Sequence, residues 1–327
     1  MTVLLVTIFV ITVLGIVYLL GPRLRFSTGT TTPQLPGSLA ELVEWLAWRE
    51  AQYADIVEGT QKEIVWRQAG APSRSCYAVV YVHGFSASRR EIDPFPQLVA
   101  DALNANLFYT RLCGHGSTDP DAMGRALPSQ WYQDALEALA VGRAIGERIV
   151  LVATSTGATL STALAERFSD QIHALVAVSP NYGPATRIAW LTAGPWGVQL
   201  ARLLLPNYLN WESSSELHER FWTTRYPGTA IPALMSLVAY GRRIDHRALR
   251  VPLIQFSAPG DQVIDYRWSI RVFERWGTAA APRPPKNLVL VHDSSEPEQH
   301  VITGEIRSPE NTERLAALAV EFLRELR

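Results

Sequence analysis

Residues 151–160 read LVATSTGATL, and the fold turns on how that stretch is read. It continues RIVLV (148–152), a run of aliphatic side chains that suits a strand buried on both faces. ATLSTALAERF follows with a helical pattern. Ala153-Thr154-Ser155-Thr156-Gly157 must therefore turn the chain from strand to helix. A nucleophile held on such a tight turn needs small residues two before and two after it, because the strained backbone brings its neighbours close. Ala153 and Gly157 supply them only if Ser155 is the centre. Centring on Thr154 puts Val152 and Thr156 in those places, and centring on Thr156 puts Thr154 and Ala158 there. A plain helix cap is the competing reading, and the strand-turn-helix context favours the nucleophile. The turn also points a helix N-terminus at any negative charge that develops.

Working outward, short apolar runs alternate with helical patterns. YAVVYVHG (77–84), ANLFYTRL (105–112), IHALVAVSP (172–180), VPLIQFSAPGD (251–261) and KNLVLVHD (286–293) read as further strands. SQWYQDALEALAVGRAIG (129–146) and NTERLAALAVEFLREL (311–326) read as helices. The alternation predicts a mostly parallel sheet covered by helices on both faces. About seventy residues between Pro180 and Val251 break the rhythm and must carry their own structure. They hold Trp190, Trp196, Trp211, Trp222 and the patch VQLARLLLPNYL (198–209), and are expected to form a mostly helical cap over about 184–248. Its place past the carboxyl ends of the strands is where ligands of open α/β sheets bind.

Ser155 needs a base and an orienting acid, expected in the order Ser, acid, His. Of the seven histidines, His83 and His115 precede it and His173 follows too soon. His218 lies in the insertion, and His246 precedes the strand that should carry the acid. His292 sits at the end of the last strand. His300 lies in the loop SSEPEQHVITGE and has the reach to cover the serine, so it is the favoured base. In SAPGDQVID, Asp261 directly follows the strand end and is the expected acid, while Asp265 is placed to cap the helix RWSIRVFERW. His-Gly-Phe at 83–85 forms a turn after a strand. The backbone amides of Phe85 and Thr156 are the expected oxyanion donors, with the side chains of His83, Phe85 and His115 structural.

The remaining features mainly exclude. The chain has 327 residues, a formal net charge of −1 and no Lys/Arg-rich run, which speaks against a nucleic-acid partner. Cys76 and Cys113 form neither a metal-binding nor a disulfide pattern, and no H-E-x-x-H, P-loop or G-x-G-x-x-G is present, so no metal or cofactor is expected. MTVLLVTIFVITVLGIVYLL carries no charged side chain, and about 20 apolar residues suffice to span a bilayer. With no basic n-region and a poor cleavage site at Leu19-Leu20-Gly21-Pro22, residues 1–22 are expected to be a retained single-pass membrane anchor. Arg23 and Arg25 lean the rest towards the cytoplasm. Residues 23–60 are expected to be a linker, FSTGTTTPQLPG (26–37), and a helix opened by a Ser38/Glu41 capping box.

VYVHGFSAS (80–88), CGHGS (113–117), ATSTG (153–157), APGDQVID (258–265) and EQHVITGE (298–305) together resemble the α/β-hydrolase family, in its bacterial carboxylesterase and monoacylglycerol-lipase branch. The resemblance covers roughly residues 77–327. Ala153 departs from the glycine many members carry there, and residues 1–60 lie outside it. It implies an α/β-hydrolase domain over 61–327, a triad of Ser155, Asp261 and His300, and an oxyanion hole from the Phe85 and Thr156 amides. The expected function is hydrolysis of lipophilic carboxylic esters through an acyl-serine. Acyl transfer, thioester or lactone hydrolysis with the same triad is the alternative, with a non-catalytic tethered module behind it.

Overall fold

Nine strands and eleven α-helices organise residues 2–29 and 31–326, the part of the chain that the computed structural model describes. The strands are β1 (Glu63–Val65), β2 (Ser75–Val82), β3 (Asn106–Tyr109), β4 (Gly146–Thr154), β5 (Ala174–Val178), β6 (Tyr208–Asn210), β7 (Arg225–Pro227), β8 (Leu253–Ser257) and β9 (Lys286–Leu290). The helices are α1 (Thr2–Leu19), α2 (Leu39–Glu50), α3 (Phe95–Ala102), α4 (Ala122–Arg125), α5 (Pro128–Ile145), α6 (Thr156–Arg167), α7 (Gly197–Leu204), α8 (Glu216–Phe221), α9 (Ile231–Gly241), α10 (Tyr266–Arg275) and α11 (Pro309–Glu325).

Seven strands form the central sheet in the order β1-β3-β2-β4-β5-β8-β9, parallel throughout except for β1. Strand residues alternate between two cores, as a period of two requires. Ala78, Val80 and Val82 of β2 face one core with α5, α6, α9 and α10, and Val79 and Tyr81 face the other with α3 and α11. In β4, Ile149, Leu151 and Ala153 take the first side and Val150 and Val152 the second. Burial on both faces is why these strands read as unbroken apolar runs. β1 and the antiparallel pair β6–β7 were not expected from sequence. Each strand has three residues, too few for a periodic pattern to show.

The excursion between β5 and β8 carries α7, then β6 and β7 as an antiparallel pair with α8 between them, and then α9. Its last helix belongs to the domain core. Ala233, Leu237 and Val238 of α9 are buried in the core beside α6.

The membrane anchor expected at residues 1–22 is corrected by the structure. Among the described residues, no helix is long and apolar enough to cross a membrane. α1 is apolar but has 18 residues. That is about 27 Å at 1.5 Å per residue, below the roughly 30 Å of a hydrocarbon core. The cytoplasmic lean rested on that anchor and goes with it. The C-terminal end of α1 instead meets the insertion. Trp196 donates from its backbone N to Pro22 O (2.8 Å) and from Nε1 to Val17 O (3.1 Å).

The residues expected as a linker lie against the domain. Leu24, Phe26 and Leu35 pack on the core, with the Phe26 ring 5.5 Å from Tyr132 and 4.7 Å from Tyr240. Arg167 donates to Thr28 O, which fixes this strap to α6. The capping box of α2 is formed, Ser38 Oγ accepting from Glu41 N (3.3 Å) and Glu41 Oε2 from Ser38 N (3.1 Å). Leu42 and Leu46 are buried beneath that helix.

Candidate active site

β4 ends at Thr154 and α6 begins at Thr156, leaving Ser155 alone on the turn with φ 50° and ψ −116°. Side chains rarely adopt that region, and the turn is held from three directions. Ser155 N donates to Val178 O (2.9 Å), while Ser155 O accepts from Ala158 N and Asn181 N (both 3.1 Å). At Gly157 there is no room for a side chain. An added Cβ would lie 2.6 Å from His83 O and closer still to Val82 O.

The loop after β9 brings His300 over the serine, with Nε2 3.0 Å from Ser155 Oγ. His300 Nδ1 lies 2.7 Å from Asp261 Oδ2, in the turn after β8. A carboxylate only accepts, so Nδ1 carries the proton and the Nε2 lone pair accepts from the Ser155 hydroxyl. Asp261 is itself fixed, its Oδ1 accepting from Val263 N and Ile264 N (both 2.9 Å). Burial pulls the His300 pKa down, but the Asp261 charge and hydrogen bond, with Glu91 and Glu296 nearby, outweigh it, and the net direction is up. Asp265 caps α10, accepting from Arg267 N (3.2 Å), and His292 is exposed at the end of β9.

Neither the Phe85 amide nor the Thr156 amide donates to a protein acceptor among the described residues. Thr156 directly follows the serine, and Gly84, which precedes Phe85, lies beside it: a Cβ there would sit 3.2 Å from Ser155 Cβ. His83 braces this loop from below. Its Nε2 accepts from Leu112 N (3.1 Å), so Nδ1 is the protonated nitrogen and donates to Gly84 O (2.8 Å). Burial holds His83 well below the usual imidazole range and His115 at about 4. Ser86, Ser155, Ser179 and Gln299 all have positive φ. Backbone strain therefore gathers around one spot, as it does at functional sites.

The insertion closes over this arrangement. Ser155 is 5% and His300 7% exposed. Thr223 N donates to Ser86 O (2.6 Å), and the Tyr226 ring meets Phe85 edge-on at 5.3 Å. On the far side, Arg307 joins the insertion to the histidine loop. Its guanidinium pairs with Glu296, donates to Ser214 Oγ (2.6 Å) and reaches His218 Nδ1 (3.1 Å). Glu296 Oε2 in turn accepts from His300 N (2.8 Å). Burial and the Arg307 charge hold His218 down at about 4, so its Nδ1 is free to accept. A surface groove of about 580 Å³ between α3 and α11 is lined by none of these residues.

Glu91, Glu296 and Arg307 escaped the sequence reading. Their roles depend on burial, and a lone charged residue in a loop carries no signal of burial. No group of three or more His, Cys, Asp or Glu side chains among the described residues is placed to hold a metal ion.

Residues 79–319 match the family described as the alpha/beta hydrolase family. The chain belongs to the alpha/beta hydrolase family. No curated protein matches this hydrolase by sequence. Among solved structures it is similar to a metagenome-derived lipolytic enzyme of the LipS and LipT study (18% identity, 83% of this chain and 99% of that one, TM-score 0.65). It is also similar to the monoacylglycerol lipase of Paleococcus ferrophilus (17% identity, 81% and 98%, TM-score 0.58). A third is a soluble variant of the monoglyceride lipase of Saccharomyces cerevisiae, solved with a substrate analogue (14% identity, 93% and 98%, TM-score 0.59). At these identities the likeness shows the fold.

Proposed function

We propose that this alpha/beta hydrolase is a serine hydrolase that cleaves carboxylic esters of lipophilic small molecules through an acyl-serine intermediate. The observation that carries the reading is the chain Ser155 Oγ, His300 Nε2, His300 Nδ1, Asp261 Oδ2, with links of 3.0 and 2.7 Å. As Ser155 Oγ attacks the ester carbonyl carbon, its proton passes to His300 Nε2, and Asp261 stabilises the imidazolium. The carbonyl oxygen becomes an oxyanion and takes the amides of Phe85 and Thr156. Collapse expels the alcohol, which receives its proton from His300. Water then repeats the sequence on the acyl-serine with His300 as base.

The preference for lipophilic esters is supported by the aromatic insertion over the site and by the lipases among its fold neighbours. We assign the cover to about residues 184–248, excepting the buried α9. A fluorophosphonate probe tests the nucleophile: wild type is expected to label and Ser155→Ala not to, and a labelled Ser155→Ala would remove the assignment. p-Nitrophenyl esters of graded chain length, run against thioester, lactone and amide analogues, test the substrate class. An enol-lactonase from Burkholderia xenovorans is among the fold neighbours, so the lactone arm is a direct comparison. Faster turnover of lactones or thioesters than of any ester would replace the ester reading.

A further inference from the structure

The two oxyanion donors sit on different turns. Phe85 follows β2 and Thr156 follows β4, which are parallel neighbours with Tyr81 opposite Val152 and Val82 opposite Ala153. Past those pairs β2 leaves the sheet, while β4 runs one residue further with Thr154 against Val178 of β5, so the β2–β4 ladder no longer sets the distance between the amides. An oxyanion hole works only if that distance is fixed before charge develops. The contact of Gly157 with Val82 and His83 sets how closely the turns approach, and the orientation of the Phe85 amide needs a further tie.

One buried acid supplies it. Glu91, 2% exposed, lies in the turn before α3, its own N–H donating to Ser88 O (3.0 Å). Its Oε2 accepts from Gly84 N (2.7 Å) and from Tyr81 Oη (2.9 Å). Tyr81 Oη is also 3.2 Å from Thr154 Oγ1. With the Tyr81 proton directed at Glu91, Thr154 is the donor in that last link. A continuous chain thus runs from the residue before Phe85, through Glu91 and Tyr81, to the residue before Ser155. Tyr81 and Thr154 are fully buried, so no water competes for the links. The chain also gives the first hydroxyl of Thr-Ser-Thr a task that the triad does not.

The carboxyl is placed where apolar packing would be cheaper. Burial pushes Glu91 up to about 7, against the Gly84 and Tyr81 hydrogen bonds, which pull it down. Its Oε1 would lie 2.6 Å from a Cβ on Gly84, so carboxyl, Gly84 and Ser155 are stacked in contact. A group held there at that cost needs a purpose beyond filling space.

We propose that Glu91 is a positioning residue for the oxyanion hole: by tying Gly84 to Tyr81 and Thr154 it fixes the Phe85 amide against the Thr156 amide. This rests on the serine-hydrolase reading above. Glutamine at position 91 can keep both acceptor contacts through its carbonyl oxygen, whereas leucine keeps neither.

The test compares Glu91→Gln, Glu91→Leu, Tyr81→Phe and Ser155→Ala on a p-nitrophenyl ester, with thermal melts to confirm folding. Glu91→Leu is expected to lower kcat by about 10²-fold, the scale of losing one oxyanion donor, with KM changed by less than about threefold. Affinity for a trifluoromethyl ketone, whose adduct carries the oxyanion, should fall in proportion. Glu91→Gln should stay within about fivefold of wild type, and Tyr81→Phe should fall between the two. A dead Ser155→Ala beside a folded Glu91→Leu with unchanged kcat and ketone affinity overturns the positioning role alone. An active Ser155→Ala overturns the parent reading and this inference with it. Should Glu91→Leu not fold, Tyr81→Phe and Thr154→Val decide: wild-type kcat in both overturns the proposal.

Discussion

Gly157→Ala is the smallest perturbation that should disable this site. The glycine lies in the first turn of α6, so its backbone needs no special conformation; alanine would favour the helix by up to about 1 kcal/mol, and the harm it does is spatial. The added methyl would stand 2.6 Å from His83 O and 2.7 Å from Val82 C, with Val82 O nearer still. These are backbone atoms at the end of β2, and no side-chain rotation can relieve them. Restoring ordinary contact of 3.4 Å at His83 O alone requires the elbow and the 82–85 turn to separate by about 0.8 Å. That movement draws Ser155 and the Thr156 amide away from the Phe85 amide together. Misplacement on the scale of 1 Å costs about 10²-fold in rate, and overpacking costs about 1–3 kcal/mol in stability. Steady-state hydrolysis of a p-nitrophenyl ester, with a denaturant melt on the same preparation, measures both. A variant with wild-type kcat and wild-type stability would show that β2 and the elbow are not in rigid contact, and the account of the oxyanion hole would fall with it.

Two further outcomes follow from the same geometry. Because the His300 pKa is raised and only the neutral imidazole can accept the serine proton, kcat/KM should be lost as pH falls through a midpoint above the ordinary 6.5. Asp261→Asn should move that midpoint down and lower kcat by about 10²–10⁴-fold, and a pH–rate profile unchanged in the variant would disconnect Asp261 from the imidazole. Arg307→Met leaves Glu296 buried without its cation, a loss of about 3 kcal/mol. The double variant Arg307→Met/Glu296→Gln should recover most of it in a thermal melt, and a single variant as stable as wild type would show the pair to be dispensable.

What could be read in the sequence was what repeats or what is spaced. β2, β4 and β5 announced themselves because both faces are buried over 78–82, 149–153 and 174–178, where the run is unbrokenly apolar or aromatic. Ser155 was legible because the turn permits only small neighbours at two fixed offsets. Asp261 and His300 were narrowed by chain order and then chosen by strand end and loop reach, and Asp265 was set aside by its place before a helix. β1, β6 and β7 were invisible because three residues show no period. α1 misled because composition reports apolarity residue by residue, whereas its helical length is limited where the chain turns at Gly21 and Pro22. Glu91 and Arg307 could not be read at all. A glutamate in SASRRE or an arginine in GEIRS looks like a solvated surface charge until the fold encloses it.

The strap at residues 24–35 has a consequence for how the chain comes to be folded during synthesis. Phe26 is made early, but its ring partners, Tyr132 and Tyr240, lie 106 and 214 residues downstream. At roughly 5–20 residues per second, roughly ten to forty seconds pass between the translation of Phe26 and that of Tyr240. Over that interval Leu24, Phe26 and Leu35 have no complete surface to cover. The strap therefore docks only after the insertion has been made, and its docking closes loops of 106 and 214 residues.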